Sequence, residues 1–142
     1  MATTFHPYLF FSGDCREAFT RYGEIFGGEV FLMGADDAPP EERPPGGAGD
    51  RILHAAITFE DHLLMGSDVM EDDDLTTVQG MMVCYSTPDE AKARKAFADL
   101  AEGGTVTQEL IPTFFSPAFG MCTDRFGTPW MVTADQPADA AG

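Results

Sequence analysis

Residues 8–28 read YLFFSGDCREAFTRYGEIFGG, and residues 81–104 read MMVCYSTPDEAKARKAFADLAEGG. In both stretches an apolar, strand-like run leads into a helical pattern that stops at a glycine pair. In the first, Tyr8 to Ser12 is followed by Asp14 as helix cap. Cys15, Ala18, Phe19, Tyr22, Ile25 and Phe26 then recur at three- and four-residue spacing up to Gly27-Gly28. In the second, Met81 to Ser86 precedes Thr87 as cap, Pro88 in the first turn and Glu90 completing a capping box. Ala93, Phe97, Leu100 and Ala101 form the apolar stripe before Gly103-Gly104. Gly27 and Gly103 stand 76 residues apart, about half of a 142-residue chain, so one motif is written twice.

Outward from each helix the pattern changes to strands. Glu29 to Met33, Ile52 to Phe59 and Leu63 to Ser67 follow the first; Thr105 to Leu110, Phe119 to Thr123 and Pro129 to Thr133 follow the second. Each half therefore reads β-α-β-β-β. One helix covers one face of a small sheet, so the other face must find a partner or line a cavity. The expected fold is α+β: a single domain over residues 1–142 of two tandem β-α-β-β-β modules, about 5–67 and 79–133, enclosing a cavity. Residues 35–50 hold four prolines and three glycines and are expected to form a mobile loop. Residues 68–78 form the expected linker. Its five carboxylates from Asp68 to Asp74 lack the alternating ligands and turn glycine of an EF-hand loop and read as a solvated run. The tail, 134–142, is expected to fray.

The composition excludes several functions. With 24 acidic against 8 basic residues the formal charge is −16, which repels phosphate backbones and anionic head groups, so neither a nucleic acid nor a membrane is an expected partner. No run approaches the roughly 20 apolar residues that span a bilayer, and the expected location is cytoplasmic. Cys15, Cys84 and Cys122 are an odd number without a CxxC pair, which argues for free thiols over a disulfide framework or a thiolate zinc site. A GxSxG nucleophile elbow, a Walker loop and a GxGxxG turn after a strand are all missing from the sequence, so those enzyme classes, nucleotide-dependent methyl transfer included, find no support.

The doubled unit resembles the vicinal oxygen chelate superfamily, which includes glyoxalase I, bleomycin-resistance proteins, fosfomycin-resistance enzymes and extradiol dioxygenases. Tyr8 to Ala18, Tyr22 and Phe26-Gly27-Gly28-Glu29 resemble the opening signature of its PhnB-like, or demethylubiquinone-methyltransferase-like, branch. His54-Ala55, Leu64-Met65, Ser67-Asp68, Phe119-Gly120, Thr123 to Gly127 and Trp130-Met131-Val132 are similar to its middle and closing signatures, so the resemblance covers about Tyr8 to Val132. It implies a homodimer whose cavity takes a small organic molecule. The activity it implies is either enzymatic, glyoxalase-like lyase or isomerase or dioxygenase-type, or noncatalytic sequestration of the bleomycin-resistance kind.

The superfamily's four metal-ligand positions fall on this chain near His6, Met65, Gly80 (with Gln79 beside it) and Met131. Only His6 is retained as a candidate ligand, and a divalent ion held by nitrogen and oxygen needs three or four donors. No cofactor is therefore expected, and a divalent metal is disfavoured. If His6 points inward, alternation turns Tyr8 and Phe10 inward as well. A two-residue turn at Glu60-Asp61 sets Ala56 opposite Met65 and His54 opposite Ser67. By the same alternation from Gly80, Met82 and Cys84 face inward. The candidate ligand-binding set is His6, Tyr8, Phe10, His54, Ala56, Met65, Met82, Cys84 and Met131, with Phe114, Phe115 and Phe119 as a roof. His54 is the candidate catalytic residue. Each has a plainer reading: His54 as a hydrogen-bonded structural histidine, Cys84 as a small core residue, the phenylalanines as core, and Trp130 packed on the helix.

Overall fold

The computed structural model describes residues 3–34, 37, 39–42, 51–60, 62–69 and 78–135. The chain divides into two compact units, residues 1–76 and 77–142. The first contains β1 (Tyr8–Phe11), α1 (Cys15–Phe26), β2 (Glu29–Gly34), β3 (Ile52–Phe59) and β4 (His62–Asp68). The second contains β5 (Val83–Thr87), α2 (Glu90–Ala101), β6 (Thr105–Ile111), β7 (Phe119–Thr123) and β8 (Pro129–Ala134). Their sheets share one topology, β1-β4-β3-β2 and β5-β8-β7-β6, with β1 parallel to β4, β5 parallel to β8, and the other pairs antiparallel. The β-α-β-β-β reading and the α+β class are thereby established.

In the first unit Phe11 of β1, Ala55 and Ile57 of β3 and the α1 residues Cys15, Ala18, Phe19 and Tyr22 are buried together on the helix side. Close approach of α1 requires Gly66, because a Cβ there would lie 2.7 Å from the Phe19 ring and 2.8 Å from the Leu9 carbonyl oxygen. In the second unit Ala93, Ala96, Phe97 and Leu100 of α2 are buried, as are Trp130, Val132 and Cys122 of the sheet. Trp130 accordingly faces the helix, and its indole Nε1–H donates to Asp124 Oδ2 at 2.8 Å. The helix-facing side of each sheet is the core, and the alternate residues lie on the opposite, open side.

Capping departs from the sequence expectation in both helices. The Asp14 side chain caps nothing in α1. Asp68 does so from the end of β4: its carboxylate, 2% exposed, accepts from the N–H groups of Gly13 (2.7 Å), Cys15 (3.0 Å) and Ile52 (2.9 Å). Asp68 thus belongs to the sheet and not to a solvated linker. The N-cap of α2 is Asp89, which accepts from the Ala91 and Lys92 N–H groups, while Thr87 Oγ1 accepts from Asp89 N–H. Thr87 to Glu90 therefore do not form the expected capping box, because the chain turns helical two residues later.

The glycine stop of α1 holds: Gly27 adopts φ +83° and donates to the Gly23 carbonyl at 2.8 Å. Ala134 closes β8 as a buried residue and does not begin a frayed tail. Within the expected loop a 3₁₀ turn spans Pro40–Glu42. The rest of that expectation, the linker beyond Val69 as far as Thr77, and the tail from Gln136 lie outside the described residues.

Candidate functional site

The site is built from the open side of the first sheet. Registers Tyr8↔Met65, Ala56↔Met65 and Phe31↔Ala56 set one row across all four strands, Tyr8–Met65–Ala56–Phe31. A hairpin turn through Glu60, at φ +52°, fixes this register by pairing Phe59 with His62. The next row holds Phe10 opposite Ser67 and His54 opposite Met33. The aromatic members stay accessible: Tyr8 is 39% exposed, Phe10 59% and Phe31 56%.

Two of these side chains form a hydrogen-bonded polar pair among the aromatic rings of this face. The Tyr8 hydroxyl and His54 Nδ1 lie 3.2 Å apart in a hydrogen bond, with ring centroids 5.8 Å apart and stacked. Phe10 stands against Tyr8 at 5.3 Å and Phe31 against His54 at 6.4 Å, so the pair is walled by aromatic rings on both sides. In the neutral tautomer with its proton on Nε2, His54 accepts from Tyr8 O–H at Nδ1 and presents Nε2–H as a donor; imidazolium presents donors at both nitrogens. Such a face binds an apolar body and anchors one polar group.

The first unit thus brings together Tyr8, Phe10, His54, Ala56 and Met65 as the alternation predicted. His6 precedes β1, half-buried, with Nε2 at 2.7 Å from the Thr4 hydroxyl. Phe31 and Met33 were missed by sequence reasoning. Their place follows from the pairing of β2 with β3, which no short turn sets in the sequence.

In the second unit Cys84, Met131 and Met121 fall in one row of the open side, through Cys84↔Met131 and Met121↔Met131. Met82 lies half-buried just before β5. Cys84 is an exposed residue, contrary to its plainer reading as core. Desolvation and the Asp135 charge nonetheless push its thiol up. The buried thiols are pushed further, Cys15 to about 12 and Cys122 to about 11, by desolvation with the charges of Asp68 and Asp124 respectively as next cause. Phe114, 94% exposed, and Phe115 are not core either. They form an edge-to-face chain with Phe119, centroids 5.2 and 5.1 Å apart, in the loop between β6 and β7.

The four superfamily metal positions do not fit a hard divalent ion. Met65 and Met131 offer thioethers, and Gly80, at φ +80°, offers no side chain. Among the described residues no three His, Cys, Asp or Glu side chains group as a metal-binding set.

Comparison with known proteins agrees with the geometry. Residues 3–133 match the family described as 3-demethylubiquinone-9 3-methyltransferase. The chain is 36% identical to protein PA1353 from Pseudomonas aeruginosa, with a TM-score of 0.87 covering 96% of this chain and 100% of that one. It is 25% identical to the PhnB protein from Bacillus cereus, with a TM-score of 0.75 over 93% and 99% of the two chains. The fosfomycin-resistance protein FosX from Listeria monocytogenes shares the fold at 9% identity, with a TM-score of 0.64 over 99% and 98%. No described helix is long and apolar enough to cross a membrane. A doubled β-α-β-β-β chain that matches the family model over nearly its whole length belongs to the PhnB-like, 3-demethylubiquinone-9 3-methyltransferase family.

Proposed function

We propose that the open face of the first sheet binds a small organic molecule with an apolar or aromatic body and one or two polar groups, and that the Tyr8–His54 pair engages the polar group. The observation that carries this reading is a single hydrogen-bonded polar pair, 3.2 Å apart, set between accessible aromatic rings. As an enzyme the protein uses His54 to move a proton to or from the bound molecule, with Tyr8 holding the ring in one tautomer and orientation. The rings that wall the pair, Phe10 and Phe31, contribute contact area and no reactive group, and that observation favours a second reading, in which the protein sequesters its ligand without converting it. In either case the proposed assembly is a cytoplasmic homodimer that requires no metal.

The test is a thermal-shift screen with a metabolite library, since binding to the native state raises Tm by mass action, followed by assay of each hit for conversion. For an enzyme, His54→Ala lowers turnover by ~10²-fold or more with affinity largely kept. For a binder, Phe10→Ala or Phe31→Ala weakens binding by roughly 1 to 3 kcal/mol and no hit is converted. Hits that bind equally well to His54→Ala, Tyr8→Phe and Phe31→Ala contradict both readings.

A further inference from the structure

The second unit carries a feature that the proposed function leaves unused. From its edge strand β5 inward, three sulfur-bearing residues stand side by side on three adjacent strands: Cys84 of β5 directly opposite Met131 of β8, and Met131 directly opposite Met121 of β7. All three lie on one side of the sheet. Their neighbours Trp130, Val132 and Cys122 alternate with them and are buried on the side that α2 covers, whereas Cys84 is exposed and Met131 and Met121 are half-buried. Gln108 of β6, opposite Met121, ends the row.

We propose that the Cys84–Met131–Met121 row is a binding site for one soft, thiophilic cation of the Cu(I) class. Adjacent strands stand about 4.7–4.9 Å apart, close to twice a metal–sulfur bond of about 2.3 Å, so two neighbouring sulfur side chains can flank one ion, and the third, one strand further, must lean toward it through its long thioether arm. Thiolate and thioether ligands select Cu(I) over the hard divalent ions, which need the nitrogen and oxygen donors that these three side chains lack. The two methionines supply flexible, polarizable arms that adapt to a two- or three-coordinate ion. On binding, Cys84 forms its metal–sulfur bond as the thiolate and releases its proton to water, while both thioethers coordinate as neutral donors. No electron is transferred. The other two thiols do not compete, because Cys15, in α1 itself, and Cys122, on the α2 side of its sheet, are fully buried.

The experiment is a competition titration of the full-length protein with Cu(I) buffered by bicinchoninate, followed by X-ray absorption at the copper edge. The expected result is one Cu(I) per chain in an all-sulfur shell. Affinity falls at least 100-fold in Cys84→Ser and at least 10-fold in each of Met131→Leu and Met121→Leu. Cys122→Ala and the small-molecule hits of the first sheet are unaffected, which keeps failure here distinct from failure of the proposed function. Circular dichroism checks that the leucine variants remain folded. Binding kept in Cys84→Ser places the ion elsewhere and overturns the proposal. Binding lost in Cys84→Ser but unchanged in both leucine variants reduces the site to one reactive thiol and overturns it equally, as does a shell containing nitrogen or oxygen.

Discussion

Asp68 shows how one side chain joins three parts of the first unit. Its carboxylate holds the entry to α1 through Gly13 and Cys15 and the start of β3 through Ile52, while its own backbone belongs to β4. Asp68→Ala strands the buried N–H groups of Cys15 and Ile52 at about 1–3 kcal/mol each, so a loss of at least about 2 kcal/mol is expected in urea unfolding, with the m-value unchanged. Sequence reasoning placed Asp68 in a solvated acidic run because composition alone cannot separate the one carboxylate that faces backbone donors from neighbours that face water. That Tyr8 and His54 share one side was legible by contrast, since alternation along β1 and β3 is a local rule; their hydrogen bond, across β4, was not. The thiols give a second test at this scale. With Cys15 and Cys122 held protonated in the fold, to about 12 and about 11, the unfolded chain ionises first as pH rises past 9.0. Stability therefore falls between about pH 9 and 12, and the slope shrinks in Cys15→Ala. In the native protein at neutral pH a thiol reagent titrates Cys84 alone.

The helices differ in how their first turns are satisfied. For α2 the cap is local: Asp89 accepts from N–H groups two and three residues ahead, and Asp89→Ala is expected to cost about 1 kcal/mol. For α1 the cap comes from another strand, and Asp14, which sits at the conventional cap position, makes no such bond. Desolvation, with the Asp68 and Glu17 charges adding to it, raises the Asp14 carboxyl above its usual value. Asp14→Ala should therefore change stability by less than about 0.5 kcal/mol, and the contrast between Asp14, Asp68 and Asp89 in one denaturation series checks the assignment. Strand limits were read well where glycine, proline or a tight turn bounds them, as in Ile52–Phe59 and Phe119–Thr123. They were misread where pairing decides the end. β5 starts at Val83, not Met81, because its ladder to β8 begins at Trp130. The plainer reading of Cys84 and Phe114 as core, beside their candidacy as ligand-binding residues, rested on residue type, but their accessibility follows from which strands pair and which loop carries them.

For the whole molecule the charge of −16 opposes compaction by self-repulsion. Salt screens that repulsion, so Tm is expected to rise between about 0.01 and 0.15 M ionic strength, where the Debye length contracts from about 30 to 8 Å. A flat or falling Tm would show that local ion pairs such as Arg94–Glu90 outweigh the net field. The doubled architecture was legible because the two helices repeat at fixed spacing. The ligand was not, since an apolar face with one polar pair specifies a chemical class and no single compound. Binding of this class at Tyr8 and His54 is checked by following the methionine methyl and His54 imidazole NMR signals while a thermal-shift hit is titrated into the protein. Saturable shifts are expected at Met65, Met33 and His54, lost in Tyr8→Phe and His54→Ala variants that remain folded. Shifts confined to other methionines, or unchanged by those two substitutions, would contradict it.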